Sequence, residues 1–288
     1  MKQTNGQKSS AFDPGVFQLS KSGQVFDLSS GWWPGMPLAP GHPPFQVLTL
    51  RTPMGERNQA DLAFLEDNSS NFGFISELLS FCAHSGTHVD ALAHITVGEN
   101  DEWHGGFSAN KFLGDSGPLN HDASELPPYI CRGVLIDAPA ALGVETLSAS
   151  QAVDSELIKK ALDKQGTELR KGDAIQIRTG MMKYWPHVKS MEELAGAGMS
   201  LDGAQYVAQF GPSIIGADTP VVEMVPSLIP GEPQPVHRLI VHDLGIPLME
   251  WVHLEEVSKA MAYEFLFICI PIPIKGATGS LVRPLAII

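Results

Sequence analysis

Apolar positions along this chain change rhythm at about residue 130. Beyond it they come in short runs, at 132–138, 174–179, 213–217 and 264–270. Runs of five to seven apolar-rich residues predict buried strands. Between the first two runs, Leu157, Ile158, Ala161 and Leu162 recur at helical spacing and predict a helix over 154–166. Ser190 followed by Glu193 has the form of a capping box opening a second helix near Met191, and 200–210 reads as a third. Strands alternating with helices predict an α/β architecture.

The first 60 residues have a different texture. Trp32-Trp33-Pro34-Gly35-Met36-Pro37 and His42-Pro43-Pro44-Phe45 interrupt any helical or alternating pattern. Proline lacks a backbone donor and fixes φ, so this stretch predicts an extended or irregular arm with additional β structure. No repeat or linker divides the sequence, which gives a polar segment over 1–25 followed by one domain over 26–288.

Composition narrows the setting. At 288 residues and 43% hydrophobic, the chain can bury a core without crosslinks. Cys82, Cys131 and Cys269 are odd in number and set among apolar neighbours, so they are expected as core thiols of a reducing compartment. The first 15 residues lack a signal-peptide pattern, and the longest apolar stretch, 265–274, is far short of the roughly 20 residues that span a bilayer. A soluble, cytoplasmic protein without a membrane partner is expected. A net charge of −13 with no basic cluster argues against a nucleic-acid partner.

The chemistry concentrates in eleven residues. His84, His88, Asp90 and His94 fall within His84-Ser85-Gly86-Thr87-His88-Val89-Asp90-Ala91-Leu92-Ala93-His94, although the whole chain has ten histidines. His88 and Asp90 are two apart, so an extended backbone points both to one side. Imidazoles with a carboxylate suit zinc, manganese or iron(II), and three protein ligands leave room for water and substrate. Thr87 could orient a ligand or serve the backbone. No Gly-x-Ser-x-Gly elbow and no phosphate-cradling glycine motif is present.

This segment resembles the His-x-Gly-Thr-His-x-Asp-Ala-Pro-x-His signature of the metal-dependent cyclase-like hydrolases, which include bacterial kynurenine formamidase and isatin hydrolase; Leu92 stands where proline is usual. Gly216-Ala217-Asp218-Thr219-Pro220, the run from His237 through Gly245 to Glu250 and Leu254, and the Pro271–Ala277 tail are similar to later family elements. The resemblance implies a swivelling β/β/α-type single domain. It implies that His84, His88 and Asp90 bind one or two Mn2+ or Zn2+ ions, and that His94 is the acid/base. His237 and Glu250 would complete a second metal or acid/base site, with His242 as a substitute for His237.

The implied activity is hydrolysis of a C–N or C–O acyl bond in a small aromatic or cyclic formamide, amide, imide or lactone. Trp32, Trp33, Phe45 and Trp103 are candidate substrate-binding rings. Relatives assemble, so a homodimer or homotetramer is expected. The competing readings are a metal-dependent cyclase or lyase that stabilises an enolate, and a non-catalytic metal- or small-molecule-binding protein.

Overall fold

The computed structural model describes residues 12–288; the polar opening of the 1–25 segment lies outside the described residues up to position 11. Its frame is a nine-stranded mixed sheet curled into a half-barrel. In chain order the strands of three residues or more are β1 (Val25–Asp27), β2 (Gln46–Arg51), β3 (Ser76–Ser80), β4 (His88–Asp90), β5 (Tyr129–Asp137), β6 (Ala174–Arg178), β7 (Ile214–Ala217), β8 (Leu248–Glu250), β9 (Glu264–Cys269), β10 (Gly279–Leu281) and β11 (Leu285–Ile287). The order across the sheet is β1–β11–β9–β5–β6–β7–β8–β4–β10, while β2 and β3 form a separate two-stranded ribbon. The central four strands, β5 to β8, are parallel, and every other pairing in the sheet is antiparallel.

Among the described residues the α-helices of five residues or more are α1 (Pro53–Gln59), α2 (Ala138–Leu142), α3 (Ser155–Gln165), α4 (Val188–Glu192), α5 (Leu201–Ala208) and α6 (Glu255–Lys259). The expected α/β architecture is therefore present. The helix expected over 154–166 is α3. Asp154 caps it by accepting from Leu157 N at 2.8 Å, and Gly166 closes it in the left-handed region. Ser200 caps α5 in the same way through Gly203 N. The capping box at Ser190 is a correction. The helix begins at Val188, with Met191 N bonded to the His187 carbonyl, so Ser190 sits inside a single turn. Pro186 just upstream fixes the chain direction, and the turn starts as soon as the backbone is free of it.

Strands covered on both faces need a predominantly apolar sequence, and the central ones have it, with polar residues at Gln176 and at strand ends such as Arg178 and Glu250. Val134, Ile136, Ile175, Ile177 and Ile215 point to the helix-bearing face and pack with Leu157, Ile158 and Val207. Leu135, Ala174 and Ile214 point to the other face, where Phe265 and Phe267 of β9 fill the hollow of the curl. The same alternation sorts the edge strands. Met249 and Val89 belong to the second core and Leu248 to the first. His88, Asp90 and Glu250 therefore face the helix side. Among the described residues, no helix is long and apolar enough to cross a membrane.

Cys269 is buried as expected, but Cys82 and Cys131 are only half-buried. Cys82 falls where the β2–β3 ribbon leaves the body, so one side of it stays open.

Gly133 on β5 lies against Phe265, and a Cβ there would meet the ring at 2.1 Å. Gly133→Ala should therefore destabilise the fold by roughly 1–3 kcal/mol through overpacking, measured as a lower urea midpoint at unchanged slope. An unchanged midpoint would show that the β5–β9 packing yields freely.

Candidate metal centre

Strand pairing builds the site before any side chain is considered. β4 is three residues long, entirely buried, and lies between β8 and β10. In that register His88 is opposite Glu250 on one side and Leu281 on the other, and Asp90 is opposite Gly279. Gly279 is obligatory for packing: a Cβ there would come within 2.6 Å of the His84 ring. Gly86, in the left-handed region at φ 58°, lets the loop between His84 and His88 pass under Trp32 and Met36.

Four side chains converge on Asp90. His84 Nδ1 donates to Asp90 Oδ1 at 2.7 Å, and His88 Nε2 lies 3.4 Å from the same oxygen. His237 Nε2 lies 3.8 Å from Oδ2, and His94 Nε2 lies 4.0 Å from Oδ1. Glu250 spans two of the imidazoles, with Oε2 at 3.4 Å from His88 Nε2 and Oε1 at 3.2 Å from His237 Nε2. The ligand atoms form two triads, His84–His88–Asp90 and Asp90–His237–Glu250, with Asp90 common to both.

The donor chemistry of these triads fits divalent cations. His88 Nδ1 donates to the Gly86 carbonyl at 2.8 Å, which leaves Nε2 as a bare lone pair in the neutral ring. His88 Nε2 and Asp90 Oδ2 are buried and have no hydrogen-bond partner. Orphaned buried acceptors cost free energy unless something positive meets them. Electrostatics point the same way. Burial and the neighbouring Asp90 charge push the Glu250 carboxyl up. Burial opposes the Asp90 charge as well, yet His94, His84 and His88 together hold that carboxyl well below the usual range. Two packed carboxylates of opposed tendency are the arrangement a shared cation relieves.

His94 differs from the residues of the two triads. Its side chain keeps 28% exposure, and its ring stacks on His84 with centroids 4.0 Å apart. Burial lowers its pKa to about 4 against the pull of Asp90, so the ring is neutral near pH 7. The turn that presents it closes through His94 N and the Ala91 carbonyl at 2.9 Å. It forms without the proline usual at position 92, and Leu92 packs its side chain against the main core instead.

Glu223 was not legible in the sequence. Its carboxylate is 1% exposed; it accepts from His237 Nδ1 at 2.5 Å and from the backbone N–H of Val236 and His237. One residue thus caps the turn Pro235–His237 and orients its imidazole. Burial opposes charge on His237, but the bonds to Glu223 and Glu250 outweigh it and hold the ring up at about 10. The only signal was a glutamate following the Asp-Thr-Pro element. His42, from the proline-rich arm, was also missed; it stacks on His84 at 5.9 Å and lies 3.3 Å from Cys82 Sγ.

Other expected residues fall in place or away. His242 is outside both triads and pairs with Asp243, whereas His237 belongs to one of them. Thr87 serves the backbone: its hydroxyl donates to the Trp251 carbonyl at 2.6 Å and accepts from Ser30 N. Trp32, Trp33, Phe45 and Phe81 gather with Leu281, the residue opposite His88, into one cluster beside the centre. Trp103 is a correction. Only 2% exposed and stacked with Phe107, it offers no open face to a ligand, because its own short hairpin folds the indole inward.

A family model described as "Putative cyclase" matches residues 26–224. The chain is similar to the crystal structure of a novel cyclase at 25% identity and a TM-score of 0.81, covering 95% of this chain and 90% of that one. It is similar to an isatin hydrolase bound to the product analogue thioisatinate at 20% identity and a TM-score of 0.65, covering 92% of each. Isatin hydrolase A from Ralstonia solanacearum matches at 15% identity and a TM-score of 0.67, over 96% of this chain and 99% of that one. No curated protein matches in sequence.

Glu223→Gln keeps the shape of the side chain but removes its charge. It should weaken binding of Zn2+ or Mn2+ by about 10–100-fold, as measured by calorimetric titration of the metal-free protein. Unchanged affinity would remove Glu223 from the support of the centre.

Proposed function

The chain belongs to the cyclase family, and from that premise we propose that it is a divalent-metal-dependent hydrolase. Its substrate would be a small aromatic or cyclic formamide, amide, imide or lactone, cleaved at the C–N or C–O acyl bond. The observation that carries this reading is the pair of triads sharing Asp90, with buried acceptors on His88 and Asp90 that lack partners.

His84, His88 and Asp90 would hold one ion, and Asp90, His237 and Glu250 a second. A divalent ion there, Zn2+ or Mn2+, supplies Lewis acidity, lowering the pKa of water and polarising a carbonyl. The residues do the rest. Glu223 keeps the Nδ1 proton of His237 fixed, and the Gly86 carbonyl does the same for His88, so each ring presents Nε2 to the centre. His94, neutral and partly open to solvent, takes a proton from the attacking water at Nε2. It then returns that proton to the leaving nitrogen or oxygen.

The half-buried rings of Trp32 and Trp33, with Phe81, form an apolar wall suited to a planar substrate. The isatin hydrolases among the structural relatives act on a planar bicyclic ring of that kind by name, which agrees with such a wall.

A panel of formamides, imides and lactones, assayed with Zn2+- and Mn2+-loaded protein, tests the activity. His94→Ala should lower kcat/KM by at least about 10²-fold while metal content by mass spectrometry stays unchanged. Full activity in that variant would end the proton-transfer role. Undiminished activity in stripped, metal-free protein would end the whole reading.

A further inference from the structure

The metal centre takes Glu250 from the carboxyl end of β8, one of the four parallel strands. A separate hollow opens at the other end, where those strands begin. It is a cavity of about 980 Å³ walled by Tyr129 at the start of β5, Asp173 ahead of β6, Ser213 ahead of β7 and Pro247 ahead of β8. The turn Pro14–Leu19 packs across β5 and β9 and supplies the facing wall. Of the 84–94 segment, only Leu92 reaches it. In α/β sheets the reacting ligand sits beyond the carboxyl ends of the strands, so a hollow at their amino ends is a different place. Its size suits a small organic molecule.

The chemistry of the wall narrows what that molecule is. Val16, Leu19, Leu126 and Ile130 make much of the lining apolar. One polar group in it is unmet: Tyr129 is 4% exposed, and its hydroxyl is buried without a hydrogen-bond partner. A buried hydroxyl in that state costs free energy until an acceptor meets it. Burial pushes the phenol up, so at neutral pH it stays an O–H donor. The acids of the wall are already engaged. Asp173 pairs with Arg132 at 2.7 Å, and Glu125 pairs with His121. Asp122 accepts from the N–H groups of Ser124 and Gly276, and Asp13 from that of Gly15. Lys21 and Lys171, both exposed, line the same cavity and make no ion pair among the described residues. Unmatched positive charge around an apolar hollow favours an anion.

We propose that this cavity is a second ligand site, which takes a monocarboxylic acid with an apolar body. The carboxylate accepts from the Tyr129 hydroxyl, and the body fills the space between β5 and the 14–19 turn. This inference stands apart from the hydrolase reading, because its readout is binding and not turnover.

Titration calorimetry with sodium octanoate on the full-length protein should show a single equivalent bound. The affinity should be the same whether the metal centre is loaded with Zn2+ or stripped. Tyr129→Phe should weaken binding by about 5–10-fold, the loss of one hydrogen bond to a charged acceptor. Lys21→Glu/Lys171→Glu should weaken it further at low salt than at high salt. Octylamine, with the same body and the opposite charge, should not bind. Should Tyr129→Phe fail to fold, the wild type decides through Cys131, a half-buried residue of the wall. Octanoate should slow its alkylation by N-ethylmaleimide and leave the rate at Cys82 unchanged. Any of five outcomes would overturn the proposal: no octanoate bound, octylamine bound as tightly, full affinity in folded Tyr129→Phe, an affinity that changes with Zn2+, or an unchanged alkylation rate at Cys131.

Discussion

One buried carboxylate sets the terms for the site. Asp90 is almost fully enclosed, and its two oxygens face imidazoles from two parts of the chain, the 84–94 segment and the turn at His237, with the Glu250 carboxylate of strand β8 bridging His88 and His237 beside them. A carboxylate at that depth is costly unless it is met by positive charge or donors. The surrounding structure answers with His84 at hydrogen-bond distance, a glycine at 279 to let that ring approach, and Glu223 to steady His237. The centre is better understood as the solvation shell of Asp90 than as a list of ligands. Its two orphaned acceptors, Asp90 Oδ2 and His88 Nε2, mark where that shell remains incomplete without a cation.

The parts of the fold legible in the sequence were those long enough to show a period. β5, β6, β7 and β9 fall on the four apolar runs, and α3 matches its predicted span because Asp154 and Gly166 punctuate it. β4, β8 and β10 are three residues each, too short for any period, and they are the strands that carry the site. His84, His88, Asp90 and His94 stood out because they are dense in sequence. His237 and Glu250 drew notice only through a family resemblance, since 13 residues of chain separate them and nothing local links them. Glu223 shows what sequence withholds: its value lies in reaching across to a turn that the chain makes later, a tertiary fact with no local pattern. Trp103 shows the converse error, since an aromatic near a motif in sequence can still be turned into its own hairpin.

The imidazoles around Asp90 differ in exposure more than in distance. His88 and His237 are sealed and each is tied at Nδ1, one to a carbonyl and one to a carboxylate. His94, stacked on His84 but open on one side, has no such tether among the contacts to Asp90 and its neighbours. A ring that must move protons needs access and a neutral resting state, whereas a ring that must hold an ion needs a fixed tautomer. Both kinds arise here within one eleven-residue segment because β4 ends at Asp90 and the backbone turns outward immediately after it.

The position of β10 has a bearing on how the protein comes into being. β4 is laid down early in synthesis, but its outer neighbour, residues 279–281, comes nearly two hundred residues later, and β1 likewise waits for β11. Until residues 279–281 join it, the 88–90 strand has an open edge on that side, so closing the centre depends on chain that lies nearly two hundred residues away in sequence.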